Sequence, residues 1–159
     1  MTNAEQVLVS HPDAAWLPDG GRADVVLAVG PPAVPRPTCL VRLLATRQRQ
    51  IFTTARADGG GLDIPTLPVG DRVVEDCLHA LLVRVLGSMY PTTLLGYVRN
   101  VVQGTPDDYP WPSPDAYFVV WHFQLPTDFN AGGVWLDAVE AEEQLGDRHW
   151  WPLAAHVPR

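Results

Sequence analysis

From Asp71 to Leu86 (DRVVEDCLHALLVRVL) apolar side chains recur at Val74, Leu78, Leu81, Leu82 and Val85. Measured from Val74, the offsets of four, seven, eight and eleven trace one stripe of a 3.6-residue helix. Arg72, Glu75, Asp76 and His79 fall on its opposite side. Asp71 suits the N-terminus of this helix, Arg84 suits its last turn, and Gly87 can close it in the left-handed conformation. Elsewhere the pattern is that of strands. Val25–Val29 is a short apolar run, and Cys39–Ala45 (CLVRLLA) with Gln50–Thr54 (QIFTT) predicts a β-hairpin turning at Thr46–Arg49. Leu94–Gln103 and Ala116–Leu125 are rich in branched and aromatic residues, and Val134–Leu136 is a short third run of this kind. Asp137 can cap a second helix over Ala138–Leu145, ended by Gly146, and the indoles of Trp150 and Trp151 are expected to pack back on the sheet.

Between these elements lie Pro- and Gly-rich connections at Gly30–Pro37, Ala57–Gly61 and Gly104–Asp115. Residues 1–24 are polar and weakly periodic, which predicts a lead-in with one short helix ahead of a single domain over residues 25–159. Strands, helix, strands, helix in that order predict an α+β fold: a mixed sheet with helices on its faces.

Composition narrows the function more than the fold. With 159 residues, 47% hydrophobic and 18% charged, the chain suffices for one domain with a real core. All 11 basic residues are arginine, against 18 acids, for a formal charge of −7. A long-range basic field that would gather a nucleic acid polymer is therefore absent. No apolar run approaches the ~20 residues of a membrane span. The first sixteen residues carry no secretory pattern, and Cys39 and Cys77 read as two buried thiols, so a cytoplasmic location is expected.

Most catalytic chemistries find no support in the sequence. Ser10, Ser88 and Ser113 lack the surroundings of an activated nucleophile, and neither cysteine sits among polar, electropositive residues. A phosphate-binding loop of the Gly-Lys-Ser/Thr type is excluded in a chain without lysine. The five histidines show no paired ligand spacing.

More is carried by the segment Gly60-Gly61-Leu62-Asp63-Ile64-Pro65, Val69-Gly70-Asp71, Leu86-Gly87, then Leu94–Arg99 and later Gly133–Leu136. This order resembles the Nudix hydrolase family, over roughly Leu27 to Trp151. The resemblance implies a mixed β-sheet sandwiched between helices. It also implies hydrolysis of a diphosphate linked to a nucleoside, with glutamates of a box on the first helix holding Mg²⁺ or Mn²⁺.

The box itself departs from the family. Counted back from Gly87, its Arg-Glu and Glu-Glu positions are Ala80, Leu81, Arg84 and Val85. Counted forward from Asp71, they are His79, Ala80, Val83 and Arg84. No Asp or Glu occurs between Cys77 and Pro106, so neither register supplies the clustered carboxylates that a hard divalent ion needs. Lost or altered hydrolysis is therefore expected, with no metal or other cofactor. Arg84 at a ligand position repels a cation and attracts a phosphate, which suits binding of a nucleotide-like or phosphorylated small molecule.

By resemblance, aromatic and arginine side chains from the loops and strands form the pocket. Arg84, Arg99, Tyr109, Trp111 and His122 are the expected ligand-binding residues. An active hydrolase is the alternative; Glu75 and Asp76 would then serve catalysis, with Asp71, Glu75, Asp76, Glu140 and Glu143 as displaced ligands for Mg²⁺ or Mn²⁺. A third reading is a protein-interaction module whose aromatic surface serves a homodimer, a pairing expected of such domains.

Overall fold

A computed structural model describes residues 4–30, 33–126, 129 and 132–158. Among them the strands are β1 (Ala4–Pro12), β2 (Arg22–Val29), β3 (Thr38–Arg47), β4 (Gln50–Ala55), β5 (Leu62–Asp63), β6 (Thr66–Pro68), β7 (Thr93–Val101), β8 (Asp115–Gln124) and β9 (Val134–Leu136). The helices are α1 (Val74–Leu86), α2 (Ala138–Leu145) and a C-terminal 3₁₀ segment, Trp151–His156. The nine strands form one sheet in the order β1-β2-β7-β8-β3-β4-β5, with β6 joined to β3 and β9 joined to β4. The β3–β8 pairing is parallel and its neighbours β7–β8 and β2–β7 are antiparallel, so the sheet is mixed.

The central strands are apolar on both faces because helices cover both. On one face α1 sets Cys77, Leu78, Leu81, Leu82 and Leu86 against Val41, Leu43, Val119 and Tyr97. On the other, Ala141 and Leu145 of α2, with Trp150 and Leu153, close over Leu44, Val25, Val98 and Val120. The two faces alternate residue by residue along β3, β7 and β8, as a pleated strand requires. Gly96 is fixed by close approach: a Cβ there would lie 2.2 Å from the Val26 carbonyl oxygen of β2.

The predicted elements are present with two corrections. Residues 1–24 are not a lead-in with a helix. Ala4–Pro12 is an outer strand paired antiparallel with β2, and Ala14–Gly21 is a hydrogen-bonded turn region. A bulge between Val7 and Val9 breaks the strict alternation that would have marked this strand, and one of its faces is open to solvent. Asp71 does not cap α1. Gly70, at φ 59°, and the bond from the Arg72 amide to the Val69 carbonyl make a turn there, and the helix begins after Val73 with no side-chain cap. Gly87 closes α1 at φ 75°, and Asp137 caps α2 within a capping box shared with Glu140.

Candidate functional site

Two cavities adjoin at Leu40 and Arg42 of β3. The larger, about 680 Å³, lies over Leu40 and Arg42 of β3, Val98 and Asn100 of β7 and Phe118 of β8. Strand alternation puts these five on one face. The proline-rich loop brings Tyr109 and Trp111 over them, and Trp111 meets the Phe118 ring edge-on at 5.3 Å and 84°. The turn between β1 and β2 supplies Trp16, which stacks on His149 at 4.2 Å and 21°. The second cavity, about 410 Å³, is lined by Thr66, Ile64, Asp63, Arg56 and Arg84. Leu40 and Arg42 belong to both. Both volumes lie in the range of small-molecule sites.

Arg42 is the electrostatic centre of this face. Its Nε is buried without a hydrogen-bond partner, and among the described residues its guanidinium makes no ion pair. Burial pulls it below the ordinary arginine range; Asp63 opposes this, while Arg56 and Arg148 add to it. Asp63 is already engaged elsewhere. One oxygen accepts from Trp150 Nε1 at 3.0 Å and from the Ile64 amide at 2.8 Å, and the other lies 3.8 Å from Arg148 Nε. Arg56 is paired with Asp58 at 2.6 Å. The arginines of the cleft are thus grouped in the smaller cavity (Arg42, Arg56 and Arg84, beside Asp58 and Asp63), while Asp19, Asp107 and Asp108 line the larger one. His149, beside it, is pushed down by burial and then by Arg42.

Of the residues singled out from the sequence, Tyr109 and Trp111 line the larger cavity and Arg84 lines the smaller. Arg99 is elsewhere. It stands between Val98 and Asn100, so its side chain leaves the other face, where it bonds Asp24 at 3.0 Å and Glu5 at 3.1 Å. His122 is buried four residues beyond Phe118 on the cavity side, where Nε2 lies 2.9 Å from Thr46 Oγ1; burial pushes its pKa down. Neither Arg99 nor His122 lines either cavity. Arg42 was missed by sequence reading, although an arginine inside CLVRLLA is a signal: a strand buried on both faces does not carry a charge without cause.

The described residues do not fit a divalent-ion clamp of the family's kind. At the box positions counted from Gly87, Leu81 is fully buried in the core and Arg84 brings a positive charge to the cleft. Asp71, Glu75 and Asp76 are exposed around the start of α1. Glu75 lines a separate cavity of about 860 Å³ that shares no residue with the other two. Glu140 is held in the α2 capping box and Glu143 is exposed. Among the described residues no three Asp, Glu, His or Cys side chains converge on a point where an ion could sit.

No family model matches the sequence, and neither does any curated protein. Among solved structures the chain is similar to the Bacillus subtilis pyrophosphohydrolase BsRppH, with a TM-score of 0.51 and 10% identity, over 81% of this chain and 77% of that one. The likeness shows a Nudix-like fold; at this identity it shows the fold alone. No helix among the described residues is long and apolar enough to cross a membrane.

Proposed function

We propose that the chain uses its Nudix-like scaffold to bind a phosphorylated, nucleotide-like small molecule without metal-dependent hydrolysis. The observation that carries this reading is Arg84 on the cleft wall, at a position where the box of the resembled family supplies a carboxylate. A guanidinium there favours phosphate oxygens and disfavours a divalent cation. Support comes from the division of labour in the cleft. Trp111, Tyr109 and Trp16 offer stacking surface in the larger cavity, and Arg42, Arg56 and Arg84 line the smaller one. Asp107 and Asp108 on the outer loop repel a phosphate at that end and favour its placement toward Arg42.

The test is a melting-temperature and calorimetric survey with ADP and ADP-ribose, run in EDTA and again in Mn²⁺, with chromatography of the products. Binding to the native state raises the melting temperature, by the equivalent of about 2.7 kcal/mol at a hundredfold excess over Kd. The expected result is stabilisation in both buffers and intact nucleotide in both. Nucleotide cleavage that needs Mn²⁺ and stops in EDTA overturns the reading in favour of an active hydrolase.

A further inference from the structure

Leu40 and Arg42 are common to the walls of both cavities, and Arg42 brings a cation whose Nε is buried. Arg42 projects from β3 into both, its Nε sealed from water and bonded to nothing, while the two carboxylates of the smaller cavity, Asp63 and Asp58, are committed to other donors. A buried charge in that state is costly to the free protein, and bulk water cannot reach Nε to relieve it. An arginine presents five N–H donors in a planar fork that matches two phosphate oxygens. Arg84 lines the same smaller cavity from the last turn of α1, and its side chain is exposed and makes no ion pair among the described residues. From the adjoining larger cavity, the ring of Trp111 is available to a flat group on the same ligand.

Resting on the function proposed above, we infer that Arg42 and Arg84 form a metal-independent clamp for the phosphate end of the ligand, in the smaller cavity that both line. The charge that a divalent ion would supply on such a scaffold comes instead from two guanidinium groups. Three consequences distinguish this clamp from a merely structural Arg42. Binding needs no divalent ion. The phosphate alone is recognised, and the aromatic part of the ligand adds affinity through the other cavity. The free protein is destabilised by the same residue that makes the complex.

The experiment titrates inorganic phosphate, ADP and adenosine into the full chain in EDTA by calorimetry, with melting temperature read in parallel. Phosphate and ADP are expected to bind, ADP at least about tenfold more tightly, and added Mg²⁺ is expected to strengthen neither. Trp111→Ala should weaken ADP and leave phosphate unchanged. Arg42→Met should abolish the phosphate response, weaken ADP by at least about tenfold and raise the melting temperature of the free protein. Arg84→Gln alters an exposed side chain and keeps the fold, so it tests the clamp even if the Arg42 variant does not fold; it should weaken phosphate and ADP alike. ADP binding that is indifferent to Arg84→Gln and Arg42→Met, or that requires Mg²⁺, overturns the clamp while leaving a nucleotide-binding function standing. Indifference of the wild-type chain to ADP, ADP-ribose and phosphate overturns both.

Discussion

Arg99 and Arg42 stand on strands separated only by β8, each inside an apolar run, and they have opposite surroundings. Arg99 donates to Asp24, whose side chain is 4% exposed, and to Glu5 on the outer strand; Ser10 and Arg22 complete the set around Asp24. Tyr97 also donates to Glu5. Its neighbours raise the Arg99 pKa despite the cost of burial. Arg42 faces the other side of the sheet, where Asp63 acts on it only at a distance and its Nε has no hydrogen-bond partner. The residue type and the strand context are the same. The difference is the supply of acceptors, and it separates an arginine that staples β1 to β2 and β7 from one whose Nε is left without a partner.

The largest expected effect comes from removing the satisfied arginine. Arg99→Met leaves Asp24 buried with half of its donors and Glu5 with Tyr97 alone, so we expect a loss of about 3 kcal/mol, read as a lower urea midpoint. The anion response at the opposite face should survive. Preserved stability in this variant would mean that the network is decorative, and the contrast with Arg42 would fail.

Acid should reach the same network more gradually. Burial pushes the Asp24 carboxyl up, but bonds from Ser10 and Arg99 outweigh it and hold its pKa below the usual range; the Tyr97 hydroxyl, and then Arg99, do the same for Glu5. Carboxylates with depressed folded pKa values contribute stability that is complete above their unfolded values near about 4 and is lost as the pH falls through the folded ones. Wild type should therefore lose stability below about pH 4, with a shallower slope in Arg99→Met. Equal slopes would assign acid sensitivity to other groups.

The same two arginines show what the sequence could reveal. Periodicity located α1, the hairpin of β3 and β4, and both long strands β7 and β8, because each is a local pattern imposed by burial. Tyr109 and Trp111 were expected in a pocket from the family resemblance rather than from periodicity, and both line the larger cavity. Arg99 and Arg42 look alike along the chain, yet Arg99 finds its acceptors 94 and 75 residues away, on strands whose pairing no short window can show. β1 escaped for a related reason: its partner is the neighbouring strand, and a bulge hides its alternation. Missing carboxylates needed no fold at all, because a stretch without acids has none to offer in any register.

A smaller effect, of opposite sign, is expected at Arg42. Arg42→Met exchanges a guanidinium whose Nε is buried and unbonded for an apolar chain of similar length beside Leu40 and Phe118. We expect the free protein to gain about 1 kcal/mol, measured by urea denaturation, while its stabilisation by phosphate disappears. A loss of stability would show that Arg42 has a structural role that its hydrogen-bond record does not reveal.

The smallest stability change should carry the sharpest information. Thr66 of β6 lies directly opposite Arg42 in the antiparallel β3–β6 pair, and both line the smaller cavity. Cross-strand partners bring their Cβ atoms to about 5 Å, so Thr66→Asp places a carboxylate within reach of the guanidinium and gives Arg42 what Arg99 already has. The new pair gains attraction and loses the bond that Thr66 Oγ1 donates to the Ile64 carbonyl. These opposing changes should keep the net effect within about 1 kcal/mol. Phosphate and ADP binding should nevertheless fall steeply, and 1 M salt should restore little of it, because the competing carboxylate is covalently fixed beside the site at a high effective concentration. If Thr66→Asp binds phosphate as wild type does, the availability of Arg42 is not what makes this face of the sheet receptive to anions.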